Sequence, residues 1–263
     1  MDFSLLAKQV VSIVTEVGDF IRKEAIDFSP DKIEYKGAND LVSYVDKTAE
    51  QKLVSALTLL LPEAGFITEE ATISKTGEKY NWIIDPLDGT TNFIHGIPTY
   101  SVSVALTLNQ ELVIGVVYEI NRDEAFYAWK GGGAFLNGKP IRISKSESFS
   151  STLIATGFPY YDFSKQEQYL KAFSELMQTC HGLRRIGSAA VDLAYTACGR
   201  FDGFFEFNLN SWDVAGGALV VQEAGGIVID FSGDYNFIKK RQLIAGNAHT
   251  VNHLLQILQK HFQ

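Results

Sequence analysis

The stretch WIIDPLDGTTNF, Trp82 to Phe93, begins as an apolar run and ends in two carboxylates, Asp85 and Asp88, followed at once by Gly89, Thr90, Thr91 and Asn92. Other acids occupy matching positions. Glu69 follows the apolar GFIT, Asp46 stands at the start of a helical stretch, and Asp213 follows Trp212 where another helix opens. Each has a plain explanation of its own. Asp, Pro86 and Gly89 are turn residues, and an acid at a helix start contributes ~0.3–1 kcal/mol through the dipole. Brought together by a fold, however, these acids would repel one another, and a multivalent cation is what would offset that repulsion. Carboxylates with a backbone carbonyl suit Mg²⁺ or Mn²⁺ and not zinc; His95, His181, His249, His253 and His261 are read as surface or packing residues. The spacing also excludes an EF-hand loop, because starting from Asp85 the third residue is Leu87 and the twelfth is Gly96. The tail of the motif suits an anion: Gly89 lets the backbone approach closely, and a helix starting near Thr90 would aim its free N–H groups outward. Acids for a metal beside a helix start for phosphate describe a metal-assisted phosphate site.

These residues need elements to hold them. Leu5, Leu6, Val10, Ile13, Val14, Val17, Phe20 and Ile21 recur at helical spacing and predict a first helix to about Ala25. FSPDKIEYKGAND, with Pro30, Gly37 and Asn39, reads as loop, and VDKTAEQKLVSALTLLL as a second helix stopped by Pro62. GFIT and YNWII are strands. From Tyr100 the period becomes two, giving a meander with turns at Asn109-Gln110 and Asn137-Gly138. Gly131-Gly132-Gly133 lacks the Lys-Ser/Thr of a P-loop and reads as a turn. After Ser150 strands and helices alternate: STLIATGF, then SKQEQYLKAFSELMQTC, SAAVDLAYTACG, FDGFFEF, SWDVAGGALVVQEAG, GIVIDF, LIAG and VNHLLQILQKHF. The expected fold class is α/β in a layered α+β arrangement. Residues 1–150 form a half with a largely antiparallel sheet, helices and most of the acids; residues 151–263 form an α/β half that contributes Asp213, the two fused as one compact unit.

Composition narrows the partners. The 263-residue chain carries 23 basic and 31 acidic side chains, a net charge of −8, with no basic run, so neither nucleic acid nor an anionic membrane is expected as a partner. An anionic substrate would have to be drawn by a bound cation. The N-terminus reads as an amphipathic helix, and no apolar run approaches the ~20 residues that span a bilayer, so a cytoplasmic location is expected. The two cysteines, Cys180 and Cys198, make no C-x-x-C pair and are read as reduced thiols.

GFITEE, WIIDPLDGTTNF and SWDVAGGALVVQEAGG strongly resemble the motifs of the inositol monophosphatase family, Mg²⁺-dependent and lithium-sensitive phosphatases. KGANDLVSYVDKTAE and GSAAVDLAY also fit, so the resemblance runs in order along essentially the whole chain. It implies an αβαβα sandwich and a homodimer. It implies a first Mg²⁺ held by Glu69, Asp85 and the carbonyl of Leu87, and a second shared by Asp85 and held by Asp88 and Asp213, with Glu69 reaching a third, weaker ion. Gly89 and Thr90 would bind phosphate through their N–H groups. Thr90, oriented by Asp46 and aided by Glu69, would handle the proton of a water. Glu206, Gly187, Ser188 and Ala189, with Asp213, would line the substrate pocket, Ser188 standing where a Thr is often found; Lys36 and Asp40 lie in the family's mobile loop.

The implied reaction is hydrolysis of a small phosphate ester, first of all myo-inositol 1-phosphate, by metal-activated water with no phosphoenzyme. Relatives also act on fructose 1,6-bisphosphate, the 2′-phosphate of NADP(H) or 3′-phosphoadenosine nucleotides, and an enzyme of dual specificity is a further alternative. Relatives acting on 3′-phosphoadenosine nucleotides usually have Lys after D-G-T, where this chain has Thr91. A non-catalytic interaction protein on the same fold would let at least one carboxylate decay, and all are present.

Overall fold

Leu6, Val10, Val14, Val17 and Ile21 are buried along one face of α1 (Phe3–Ile26). The computed structural model describes residues 1–26, 28, 33–37, 40–158 and 162–262, and for residues 33–37 and 40–43 the backbone alone. The segment expected to be loop pairs β1 (Ile33–Gly37) antiparallel with β2 (Asp40–Ser43). Its alternation is too short to stand out between Pro30 and Gly37. α2 (Tyr44–Leu60) follows directly and buries Val45, Ala49, Leu53 and Leu57 together with two acids, Asp46 and Glu50.

Seven strands run in sequence order across one sheet: β3 (Gly65–Thr68), β4 (Tyr80–Asp88), β5 (Ser101–Leu108), β6 (Glu111–Glu119), β7 (Glu124–Trp129), β8 (Gly133–Leu136) and β9 (Lys139–Ile141). Only β3 and β4 are parallel; the rest is the antiparallel meander that the period of two predicts. Alternation on β5 sorts its two faces. Val102, Val104 and Leu106 pack in the core with α1 and α2, whereas Ser101, Ser103 and Ala105 face the opposite side.

A second sheet has the order β11-β10-β12-β14-β13: β10 (Leu153–Thr156) lies parallel to β11 (Gly182–Arg184) and β12 (Gly203–Phe207), and β14 (Gln242–Gly246) lies antiparallel to β12 and β13 (Ile227–Ile229). Between the sheets lie α5 (Ala189–Ala197) and α6 (Ser211–Glu223), buried around nearly their whole circumference, as helices between two sheets must be. α4 (Gln166–Thr179) and α8 (Ala248–His261) cover the far face. The layers are therefore helix, sheet, helix, sheet, helix, with short α3 (Thr90–Ile94) and α7 (Phe237–Lys240) at the ends. Three-residue β11 and four-residue α7 are too short to show a period, and neither was expected from sequence. Among the described residues no helix is long and apolar enough to cross a membrane.

The middle layer approaches the first sheet through glycine. A Cβ at Gly115 of β6 would lie 2.3 Å from the carbonyl oxygen of Gly216 on α6. Gly115→Ala must push α6 from the sheet, and we expect a loss of about 1–3 kcal/mol in urea unfolding. An unchanged midpoint would show that the helix can shift freely.

Candidate active site

β3 and β4 end side by side, and a bulge decides where their acids point. Side chains three apart on a regular strand face opposite sides. Here Asp85 pairs with Ser103 and Asp88 with Ser101, so one extra residue is inserted into β4 and both acids come to the face that carries Ser101 and Ser103. The insertion contains Pro86, which has no N–H for the ladder. The Leu87 N–H turns to Asp85 Oδ1, 3.0 Å away. Gly89 then adopts φ 98°, where a Cβ would lie 3.1 Å from the Thr99 oxygen and 3.2 Å from that of Gly187. Glycine is required there both for its backbone angle and for room. α3 starts at the next residue, as expected, and Asn92 donates from Nδ2 to the carbonyls of Thr99 (2.7 Å) and Ile186 (2.8 Å), tying this start to the segment before α5.

Four carboxylates meet above this turn. Asp85 is 2% exposed, and its pKa is pushed well above the ordinary carboxylate range by burial, then by the charges of Glu69, Asp88 and Asp213. Asp88, raised by burial, is held by Ser188, whose hydroxyl donates to Oδ2 (2.6 Å), and by the Ala190 N–H on the same oxygen (2.7 Å). Asp213 sits in the first turn of α6 and accepts the Asn210 N–H at 2.6 Å; burial and the charge of Asp88 push it up to about 7. Glu69 follows β3, its N–H reaching the Ile84 oxygen at 3.3 Å, and hydrogen-bonds Asp85. Among the described residues no three acidic, histidine or cysteine side chains stand at the distances of a closed metal shell. Asp88 and Asp213 each turn one oxygen to helix-start donors. The donor set, hard oxygens crowded around a buried acid, fits a divalent cation of the Mg²⁺ type.

Thr90 Oγ1 lies 2.9 Å from both Asp46 Oδ1 and the Leu87 oxygen, and its single proton serves one of them at a time. Asp46 does not itself line the cavity; it reaches the site through Thr90.

A cavity of about 290 Å³ opens from these acids toward β10, β12 and α5. Glu69, Asp85, Leu87, Asp88, Gly89, Thr90, Gly187, Ser188, Ala189, Glu206 and Asp213, all expected at the site, line it. Glu206 on β12 is pushed up to about 8 by burial, opposed by Arg185. Gly157 makes space for it, since a Cβ there would lie 2.1 Å from the Glu206 carboxyl. Lys36 and Asp40 fall on β1 and β2, and their side chains lie outside the described residues.

Sequence reasoning found Glu206 but missed its neighbours on the far wall. Asp192 is 1% exposed and its pKa is raised well above normal by burial and by Glu206; with Arg185 and Phe158 it also lines the cavity. Asp192 stands four residues after Ser188 in GSAAVDLAY, a spacing that places both on one helix face. Arg185 gave no such signal. His249 and His253, which the sequence reads as surface or packing residues, are four apart in HTVNH with ring centroids 4.3 Å apart, and they do not line the cavity.

A family model described as the inositol monophosphatase family matches residues 2–263. The chain is 45% identical over 231 residues to a "Nus factor SuhB" of Pseudomonas aeruginosa, covering 86% of this chain and 85% of that protein. The crystal structure of the extragenic suppressor protein suhB of Bartonella henselae superposes with TM-score 0.92 at 39% identity, covering 96% of this chain and 98% of that one. An inositol monophosphatase of Anabaena superposes with TM-score 0.87 at 30% identity, covering 99% and 98%.

The Glu206 pKa carries a stability consequence. The native carboxyl keeps its proton to about pH 8, whereas in the unfolded chain it ionises near 4.5. The group's stabilising contribution is therefore complete below about pH 4.5 and is lost as pH rises to about 8. Glu206→Gln has no proton to lose. In chelator, its Tm relative to wild type should climb from pH 5 to about 8 and then level off. A difference independent of pH would refute the raised value.

Proposed function

This chain belongs to the inositol monophosphatase family, and on that premise we propose that it is a Mg²⁺-dependent phosphomonoesterase acting on a small polyol phosphate, first of all myo-inositol 1-phosphate. The observation that carries this reading is the burial of Asp85 against Glu69, Asp88 and Asp213 beside the turn at Gly89 and Thr90. Glu69, Asp85, the Leu87 carbonyl, Asp88 and Asp213 would hold two Mg²⁺ ions, with Glu69 reaching a third and Mn²⁺ able to substitute. Bound there, the ions would supply a nucleophile from water and neutralise charge on the leaving oxygen.

The chain's own groups do the rest. The N–H groups of Gly89 and Thr90 receive phosphate oxygens. Thr90 donates to Asp46, which leaves its lone pairs to accept from the attacking water; the proton then passes toward Asp46, with Glu69 as the second acceptor. Glu206, Gly187, Ser188 and Ala189 read the hydroxyls of the leaving alcohol. Lys36 and Asp40, on β1 and β2, would help close the site, as the family's mobile loop does.

Cavity size supports a small substrate. About 290 Å³ lies just under the ~300–1,000 Å³ range of ligand pockets. A polyol phosphate fits that volume better than NADP(H); fructose 1,6-bisphosphate, or both activities in one enzyme, is the alternative. A second reading, compatible with the first, is that the chain also acts as a Nus factor through protein contact. The name of the Pseudomonas relative favours it. Homodimerisation is part of the proposal by family likeness.

Phosphate release from inositol 1-phosphate, NADP and fructose 1,6-bisphosphate, with Mg²⁺ or with chelator, tests the reading. We expect Mg²⁺-dependent turnover, highest kcat/KM for inositol 1-phosphate, and loss of turnover in Asp88→Asn. No release from any of the three by the wild type would overturn the phosphatase reading and leave the Nus-factor one. In Asp46→Asn, kcat should fall by about 10²-fold or more while half-saturation by Mg²⁺ stays put. A normal kcat would remove Asp46 from the proton path.

A further inference from the structure

Glu50 follows Asp46 by one turn of α2, and both carboxylates are buried, at 0% and 1% exposure. Like charges four apart on a helix repel, so their presence on one buried face needs a reason. Each faces a different part of the site. Asp46 accepts the Thr90 hydroxyl. Glu50 gathers the segment after β3: Oε1 accepts from Thr68 Oγ1 (2.9 Å), the Thr72 N–H (2.7 Å) and Thr72 Oγ1 (2.6 Å), and Oε2 accepts from the Glu70 N–H (2.8 Å). The residues on either side of Glu69 are thus tied to one carboxylate. Glu50 itself is not among the residues that line the cavity.

We propose that Glu50 is a positioning residue: by fastening Thr68, Glu70 and Thr72 it holds Glu69 toward Asp85 and so sets the divalent-cation affinity of the site, touching neither cation nor substrate. Two of its four bonds come from backbone N–H groups, which fix main chain and not only side chains. The proposal rests on the reading of Glu69 as a cation ligand. Groups that orient a metal ligand typically account for about 10–100-fold in metal affinity.

The test is Mg²⁺ titration of wild type, Glu50→Gln and Thr72→Val, followed by calorimetry and by the Mg²⁺-induced rise in Tm. Thr72→Val removes one bond with little change of shape, and it decides the matter if Glu50→Gln fails to fold. We expect Mg²⁺ binding weakened by about 10–100-fold in Glu50→Gln and by a smaller factor in Thr72→Val, with kcat largely recovered at saturating Mg²⁺. Variants that lower the metal-free Tm but bind Mg²⁺ like wild type would overturn the proposal and make Glu50 a structural anchor only. Wild type that binds no Mg²⁺ would overturn the reading of the site as well, a result distinct from the first.

Discussion

Repulsion among buried carboxylates is the constraint around which this fold is arranged. Glu69, Asp88 and Asp213 crowd Asp85 closely enough to raise its pKa, and Asp88 raises that of Asp213; in a low-dielectric interior such repulsion is large. A protein selected for stability alone would replace them with apolar side chains. Here the backbone is distorted to bring them together. The β4 bulge turns Asp88 to the side of Asp85, and Gly89 takes a backbone angle few other residues tolerate.

Helix starts supply part of the compensation. The Ala190 N–H, in the first turn of α5, meets Asp88, and the Asn210 N–H, just before α6, meets Asp213. Asp46 occupies the first turn of α2. Three helices thus present the positive ends of their dipoles to the acids, each contributing a fraction of a kcal/mol to about 1. The layering makes this possible. Because α5 and α6 lie between the two sheets, their starts reach the ends of β4 on one side and of β12 on the other. Close packing through Gly115 and Gly216 keeps α6, and with it Asp213, against the first sheet.

What was legible in the sequence follows from what has a period. The long helices, the meander and the acids at the ends of apolar runs all announce themselves locally, and the roles proposed for those acids rest on family likeness. The bulge did not announce itself. Asp85 and Asp88 read as a pair, but only the pairing with Ser103 and Ser101 shows that they share a face. Groups that act across long separations in the chain were equally silent. Arg185 bears on Glu206, and Glu50 holds a segment about 20 residues further on. Glu50 stands one turn after Asp46 within VDKTAE, yet nothing in that helix pattern separates an acid that reaches inward from one that faces water.

The two walls of the cavity ask different things of their acids. On the wall where we propose the cations, a carboxylate is useful only when ionised, and the raised pKa values of Asp85 and Asp213 mean that protons would compete with a cation for the same oxygens. On the far wall, Glu206 keeps its proton up to about pH 8, and a neutral carboxyl can both donate to and accept from a hydroxyl. A phosphate ester of a polyol presents this pair of demands, an anion at one end and neutral hydroxyls at the other. The chain's net charge of −8 supplies no attraction of its own for an anion. A phosphate dianion would be repelled by ionised carboxylates on the wall proposed for the cations, and a bound cation would offset that repulsion. A group that tightens the hold on the cation would therefore also favour the ester, and on the proposal above this is how Glu50, buried beneath Glu69, would bear on the reaction without touching it.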